Sequence, residues 1–307
     1  MSNALVVVLG PTAVGKTSIS IELAAGFNGE IVSADSRLFY RGMDIGTAKP
    51  SIIELSLIKH HLVNVSEPDD DWSLGKYQKA AYAVIDEIHS SGKLPFLVGG
   101  TGQYIKSVYQ GWTIPEVKAD PKIRTALEKW AEEIGEQGLF NRLVSIDPDA
   151  ASFIDPRNLR RTIRALEVIF LSGSRFSSMR KRTGLSYPAL IIGITRSREE
   201  IYERIDNRLD AMISDGFISE VEELLNQGFS PQINSFSSIG YRQIAEYLEG
   251  KISLEEAITI IKRLSRQLVR RQANWFKLND TQIKWFIADK NILDSITTEI
   301  EKFIKCI

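Results

Sequence analysis

The chain has 307 residues, with 38 Lys and Arg against 39 Asp and Glu and a formal net charge of −1. That balance excludes a polyanion binder held by bulk charge, so any nucleic-acid contact must come from local clusters. A single cysteine, Cys306, excludes an internal disulfide framework and a cysteine-based zinc site, while 43% hydrophobic and 25% charged residues describe an ordinary globular chain of about two domains.

Ala4 to Leu9 is an apolar, β-branched run ending at Gly10, the pattern of a parallel strand buried on both faces. It is too short for a signal-peptide core or a membrane span, so the expectation is a cytoplasmic protein with no membrane segment. Lys16 to Ala25 reads as a helix with Ile19, Leu23 and Ala24 on one face, and Glu30 to Ala34 as a second strand ending at Asp35. His60 and His61 open a further strand, His61 to Val65, and are expected to be structural rather than metal-binding. Tyr77 to His89 is predicted helical, and Pro95 to Val98 is a strand stopped by Gly99-Gly100. From Pro115 to about Ser186 the pattern is helical with almost no strand signal. Leu190 to Ile194 restores a strand, followed by helices over Arg198 to Asp215, Ile218 to Gln227, Ile239 to Glu249 and Leu254 to Lys277, and a last strand over Gln282 to Ala288. Strands alternating with helices predict an α/β fold. We expect a P-loop core with a parallel sheet and helices on both faces, residues 1–114 and 187–307, plus a helical insertion domain, residues 115–186.

Gly10-Pro11-Thr12-Ala13-Val14-Gly15-Lys16-Thr17 fits G-x-x-x-x-G-K-[ST] between a predicted strand and a predicted helix. Its glycines turn backbone N–H groups toward a phosphate, the helix N-terminus adds a favourable dipole, Lys16 a point charge, and Thr17 a hydroxyl for Mg²⁺. The motif points to a diphosphate or triphosphate and does not specify ATP. The strand Pro95 to Val98 is followed by two glycines and Thr101 where nucleotide hydrolases often carry an acid, which argues mildly against ATP hydrolysis; the glycines suggest a ligand passing close to the backbone. Asp35 ends a strand on the phosphate-loop edge of the sheet, and its position alone fits a catalytic carboxylate and a turn-capping aspartate equally well.

Two segments concentrate positive charge. Arg157 to Arg182 holds Arg157, Arg160, Arg161, Arg164, Arg175, Arg180, Lys181 and Arg182 against the single acid Glu167, and the first four share a helix face. Lys262 to Lys277 holds Lys262, Arg263, Arg266, Arg270, Arg271 and Lys277 with no acid. Each suits a polyanion, but each alone is better read as the solvated face of a helix or a lid over a nucleotide.

The motifs together resemble one family, the tRNA dimethylallyltransferases, also called tRNA isopentenyltransferases. The matching stretches are the phosphate loop, Ser33-Ala-Asp-Ser-Arg37, Tyr40-Arg-Gly-Met-Asp-Ile-Gly-Thr-Ala-Lys-Pro50, His60-His-Leu62, Val98-Gly-Gly-Thr101 with Tyr104, Arg164-Ala-Leu-Glu-Val168, Ile239-Gly-Tyr241, and Arg271-Gln272 with Trp275-Phe276. Leu38-Phe39 stand where the family usually has Gln-Val, Gln103 where it has Leu, and Asn274 where it has Thr. The resemblance implies transfer of a dimethylallyl group from dimethylallyl diphosphate to N6 of an adenosine beside the anticodon of tRNA, by a monomer using Mg²⁺. It implies that Gly10, Thr12, Ala13, Val14, Gly15, Lys16 and Thr17 hold the diphosphate, with Thr17 on the metal. Asp35 would be the general base, Thr101 would lie beside the adenosine, and Arg208 would clamp the diphosphate. The anticodon stem-loop would meet Asp35, Ser36, Arg37, Leu38 and Thr101, then Arg124, Arg160, Arg161 and Arg164 of the insert. From the core it would meet Gly240, Tyr241, Arg242 and Gln243, and Arg270, Arg271, Gln272 and Lys277. The rivals are a P-loop kinase of a small metabolite, an isopentenyltransferase for free adenine nucleotides, and a non-catalytic nucleic-acid module.

Overall fold

The structure, a computed structural model, describes residues 3–179, 184 and 187–307. In chain order the elements are β1 (Leu5–Leu9), α1 (Lys16–Gly26), β2 (Gly29–Ser33), α2 (Ile52–Leu57), β3 (His60–His61), α3 (Leu74–Ser90), β4 (Leu94–Gly99) and α4 (Gly102–Tyr109). There follow α5 (Pro121–Ile134), α6 (Glu136–Ile146), α7 (Pro148–Ala151), α8 (Leu159–Ser172) and α9 (Phe176–Met179). The chain continues with β5 (Ala189–Thr195), α10 (Arg198–Ser214), α11 (Phe217–Asn226), α12 (Tyr241–Leu248), α13 (Leu254–Trp275), β6 (Lys284–Ile287) and α14 (Ile292–Lys305). Two compact units result, Met1–Tyr109 with Leu185–Ile307, and Gln110–Gly184. No described helix is long and apolar enough to cross a membrane.

The first unit is built on a parallel sheet with strand order β3-β2-β4-β1-β5-β6. β1 is entirely buried. Because successive side chains of a strand alternate between faces, Val6 and Val8 pack with Ile19 and Leu23 of α1, Ile205 of α10 and Ile296 and Ile300 of α14. Leu5, Val7 and Leu9 pack on the opposite side with Tyr77 and Ile85 of α3 and Ile105 and Val108 of α4. Each such aliphatic side chain removed from water stabilises by about 1.5–3 kcal/mol, so the apolar run of β1 places it at the centre of the sheet. A third cluster joins Phe217 and Val221 of α11, Tyr241 and Ile244 of α12 and Ile261 of α13 to Tyr40 and Met43. Since every strand pairs in parallel, the loops after β1, β2 and β4 leave from one edge, where α/β sheets place their ligands.

The second unit is helical. Leu127 and Ala131 of α5, Leu139, Phe140 and Leu143 of α6, and Leu166 and Ile169 of α8 form its core. The Asn158 side chain caps α8 by accepting the Arg161 N–H at 3.1 Å, satisfying one of the orphan donors of a helix start. Arg180, Lys181 and Arg182 of the basic run lie outside the described residues.

One expected strand is corrected. His61 to Val65 does not continue as a strand, because Leu62 (φ 59°) and Asn64 (φ 54°) adopt left-handed backbone that a pleated strand cannot carry; only His60 and His61 pair, with Ile31 and Val32. The two histidines have protein partners, His61 Nε2 with Glu30 at 2.6 Å and His60 Nδ1 with Ile58 O at 2.8 Å. Three helices went unread in the sequence: α2, α4 and α14.

Candidate active site

The loop from β1 to α1 is shaped by close approach. A Cβ at Gly10, whose φ is 154°, would stand 2.4 Å from Ile194 O, so only glycine fits. Ala13 adopts φ 65°, left-handed for a residue with a Cβ. Thr12, Ala13, Gly15, Lys16 and Thr17 line a cavity of about 910 Å³, while Val14 turns into the core. Lys16 Nζ donates to Pro11 O at 2.8 Å. Burial pushes the Lys16 ammonium down to about 8, with Asp35 pulling it up and Arg208 adding to the fall.

Three guanidiniums clasp the same loop. Arg208 donates to Thr12 Oγ1 at 3.1 Å, Arg204 Nε to Ala13 O at 2.7 Å, and Arg196 Nε to Val14 O at 3.1 Å. Burial lowers the pKa of Arg208, which the charge of Asp35 opposes. Arg208 was expected here; Arg196 and Arg204 were not. The available signal was the i, i+4 spacing of Arg204 and Arg208 on the helix that follows β5, but backbone carbonyl partners leave no trace in a sequence.

Asp35 follows β2 and lines the same cavity with Ser36, Arg37, Leu38 and Thr101. Its Oδ1 accepts the Arg37 N–H at 3.0 Å, while Thr101 Oγ1 accepts the Ser36 N–H at 3.3 Å. The aspartate therefore caps its own turn and stands close enough to Lys16 and Arg208 for its charge to act on both. Gly99, which ends β4, and Gly100 line the same cavity, and both are also approached closely from within the protein. A Cβ on Gly99 would lie 2.3 Å from Ala34 O, and one on Gly100 2.5 Å from Gln272 Nε2.

The donors suit Mg²⁺ of the kind that phosphates carry. Thr17 contributes a hydroxyl to the cavity, and no group of three or more His, Cys, Asp and Glu able to hold a metal occurs among the described residues. Mg²⁺ commonly takes one or two protein oxygens and fills its shell with water and phosphate oxygens.

The residues expected on RNA divide into two kinds. In the insert, Arg124 Nε and Arg164 Nη1 both end on the fully buried Glu167, at 2.9 and 2.5 Å, and Arg164 also donates to Val117 O at 2.6 Å. Arg160 and Arg161 are exposed and make no ion pair among the described residues. In the core, Tyr241 is fully buried, its hydroxyl donating to Glu220 at 2.6 Å. Glu220 also accepts the N–H groups of Asp44, Ile45 and Gly46 at 2.7–3.1 Å, fixing a loop that lines the cavity. Gly240 carries φ 106° ahead of α12, and Gln243 accepts its N–H at 3.0 Å. Arg242 and Arg271 line a second cavity of about 200 Å³. Arg266 pairs with Asp206 at 2.7 Å, whereas Arg270 and Lys277 are exposed. Gln272, 8% exposed, is bonded at both ends of its amide within the protein. For Arg124, Arg164, Tyr241 and Gln272 the side chain is thus already engaged, because a carboxylate or backbone group claims it.

The comparisons with known proteins agree with this geometry. The sequence model of the IPP transferase family matches residues 38–279. The tRNA dimethylallyltransferase of Roseiflexus sp. (strain RS-1) is 49% identical over 273 residues, 89% of this chain and 90% of that one. The one from Dehalococcoides mccartyi is 43% identical over 98% of this chain and 92% of its own length. Among solved structures, the full-length tRNA isopentenylpyrophosphate transferase of Bacillus halodurans superposes with a TM-score of 0.71 at 41% identity, covering 99% of this chain and 96% of that one. A eukaryotic dimethylallyltransferase captured acting on tRNA gives 0.86 at 27% identity, covering 98% and 79%. The chain belongs to the IPP transferase family, the tRNA dimethylallyltransferases.

Proposed function

We propose that this enzyme transfers the dimethylallyl group of dimethylallyl diphosphate to N6 of the adenosine at position 37 of tRNA, next to the anticodon, releasing diphosphate. The observation that carries the reading is a single cavity lined by the phosphate loop together with Asp35 and Thr101. The adenine N6 is a poor nucleophile because its lone pair is delocalised into the ring. Asp35 accepts its proton as N6 bonds to the allylic carbon, a contribution of about 10²–10⁴-fold for a positioned base. The carbon–oxygen bond to diphosphate breaks in the same step, and Lys16, Arg208 and the loop N–H groups receive the leaving charge. Mg²⁺ on Thr17 and the phosphate oxygens would neutralise part of that charge. Leu209, Met212, Phe217, Ile261 and Leu268 give the cavity an apolar part suited to the five-carbon chain. The adenosine leaves its stack to enter, as in other base-modifying enzymes, and exposed Arg160, Arg161, Arg270 and Lys277 hold the stem-loop by its phosphates. The enzyme works as a monomer in the cytoplasm. Incubation with radiolabelled dimethylallyl diphosphate and unmodified tRNA should place label on a single adenosine. Phosphoryl transfer from ATP to a metabolite, with no label in RNA, would contradict the reading.

A further inference from the structure

Gln272 belongs to α13, yet its amide meets two loops from two different strands. Its Oε1 accepts the Thr12 N–H of the phosphate loop at 2.8 Å, and its Nε2 donates to Gly100 O, after β4, at 3.1 Å. The side chain is 8% exposed. A Cβ on Gly100 would stand 2.5 Å from Gln272 Nε2, so the amide tip and the glycine are in close contact. Farther along the same helix, Trp275 lies against Gly102, where an added Cβ would stand 2.4 Å from its ring. The end of α13 is thus wedged against the loop that carries Thr101 and is bonded to the loop that carries Lys16.

We infer that Gln272 is a positioning residue that fixes the phosphate loop against the acceptor loop, and is not itself a contact for RNA. The inference rests on the transfer reaction proposed above. The chemistry of the site selects the residue type. The bridge needs one acceptor and one donor at the tip of a single side chain, without a charge beside a diphosphate. Glutamate accepts but does not donate when ionised, lysine donates but does not accept, and glutamine does both while neutral. The consequence is geometric, because the two loops carry the two reacting partners. A misplacement of about 1 Å between such partners can lower a rate by about 10²-fold. Arg270 and Arg271 precede Gln272 on α13, so the helix that offers cations to RNA also sets the spacing of the loops.

The test is the pair Gln272→Met, which removes both bonds at similar length, and Gln272→Glu, which keeps the acceptor toward Thr12 N–H and loses the donor toward Gly100 O. Single-turnover transfer and stem-loop binding are measured for both, well below their melting temperatures. The expected result is a kcat lowered about 10-fold or more, with the Kd for the stem-loop within about 3-fold of wild type. A rate within 2-fold of wild type, or a loss confined to RNA affinity, would overturn the inference; the second would make Gln272 an RNA contact after all. Gln272→Leu, also neutral and unable to make either bond, takes the place of Gln272→Met should that variant not fold, and a rate loss in Gln272→Glu alone, where a charge is added beside the diphosphate, would overturn the inference. A wild-type protein that transfers no label would instead overturn the proposed function.

Discussion

In the core, Arg204 and Arg208 direct their bonds at the phosphate loop, to Ala13 O and to the Thr12 hydroxyl, and Arg196 adds Val14 O while its Nη1 approaches Glu200 at 3.5 Å. In the insert, Arg124 and Arg164 spend theirs on Glu167, a carboxylate with no exposed surface. All five are arginines in or just before helices, yet one set clasps the phosphate loop and the other fastens α5 to α8. A buried carboxylate makes the difference. Where one is present the cation completes it and becomes scaffold, since an unpaired buried charge is expensive. Where the partners are a backbone carbonyl and a hydroxyl, as for Arg204 and Arg208, no ion pair among the described residues cancels the charge.

That contrast can be broken from either side. The largest effect is expected at the cradle: Lys16→Met should lower single-turnover transfer by about 10²–10³-fold, the range for removing one preorganised stabiliser of developing charge. Its melting temperature should not fall, because the buried ammonium it removes is held at a desolvation cost. Next is Glu167→Ala, which strands Arg124 and Arg164 and should cost about 3 kcal/mol in denaturant unfolding, with little effect on diphosphate binding. Burial alone would raise the pKa of Glu167, but the hydrogen bonds from Arg164 and Arg124 and from the Asp120 N–H outweigh it and hold it below the ordinary 4.5. A depressed folded pKa contributes stability above the unfolded value and loses it as pH falls through the folded one. The wild type should therefore lose this increment below about pH 4.5, and a melting series of Glu167→Gln should be flatter there.

Smaller effects sharpen the comparison. Replacing Arg160 and Arg161 together by Ala should weaken stem-loop binding and reduce its salt slope by about two, one for each phosphate left unneutralised, with an unchanged melting temperature. Arg164→Ala, only three residues away, should do the reverse, lowering the melting temperature more than the affinity. Filter binding across a salt series beside melting curves reads both. The smallest expected signal is a proton. Burial pushes the Lys16 ammonium down to about 8, and a bound diphosphate would raise it, so calorimetry in two buffers at pH 8.5 should show net proton uptake on binding, of up to about one proton, and Lys16→Arg should abolish it.

The sequence made the frame legible where local pattern and tertiary demand coincide. β1, α1, β4 and α10 fall within a residue or two of their expected bounds because the apolar runs of the strands and the helical spacing of the helices are strong. Asp35, Lys16, Thr101 and Arg208 line one cavity because each occupies an element end on the same sheet edge or the helix packed over it. What escaped depended on partners distant in the chain. Tyr241 and Gln272 lie in segments that read as RNA contacts, yet Glu220 and Thr12 claim their side chains. Glu220 anchors the N–H groups of Asp44, Ile45 and Gly46, a role that its place among the acids of α11 does not reveal. Arg196 and Arg204 went unread because their partners are carbonyls, which every residue possesses. The strand after His61 failed because left-handed backbone at Leu62 and Asn64 is invisible in residue type alone.

The central claim is that Asp35 acts on the acceptor while the phosphate loop holds the donor, within one cavity. Asp35→Asn tests it most directly, because the amide keeps the size and the Oδ1 acceptor for the Arg37 N–H and removes the base. Single-turnover transfer at saturating dimethylallyl diphosphate and tRNA should fall by about 10²-fold or more, with stem-loop and diphosphate affinities near those of the wild type. A rate within a few-fold of wild type would contradict the account and remove Asp35 from the mechanism.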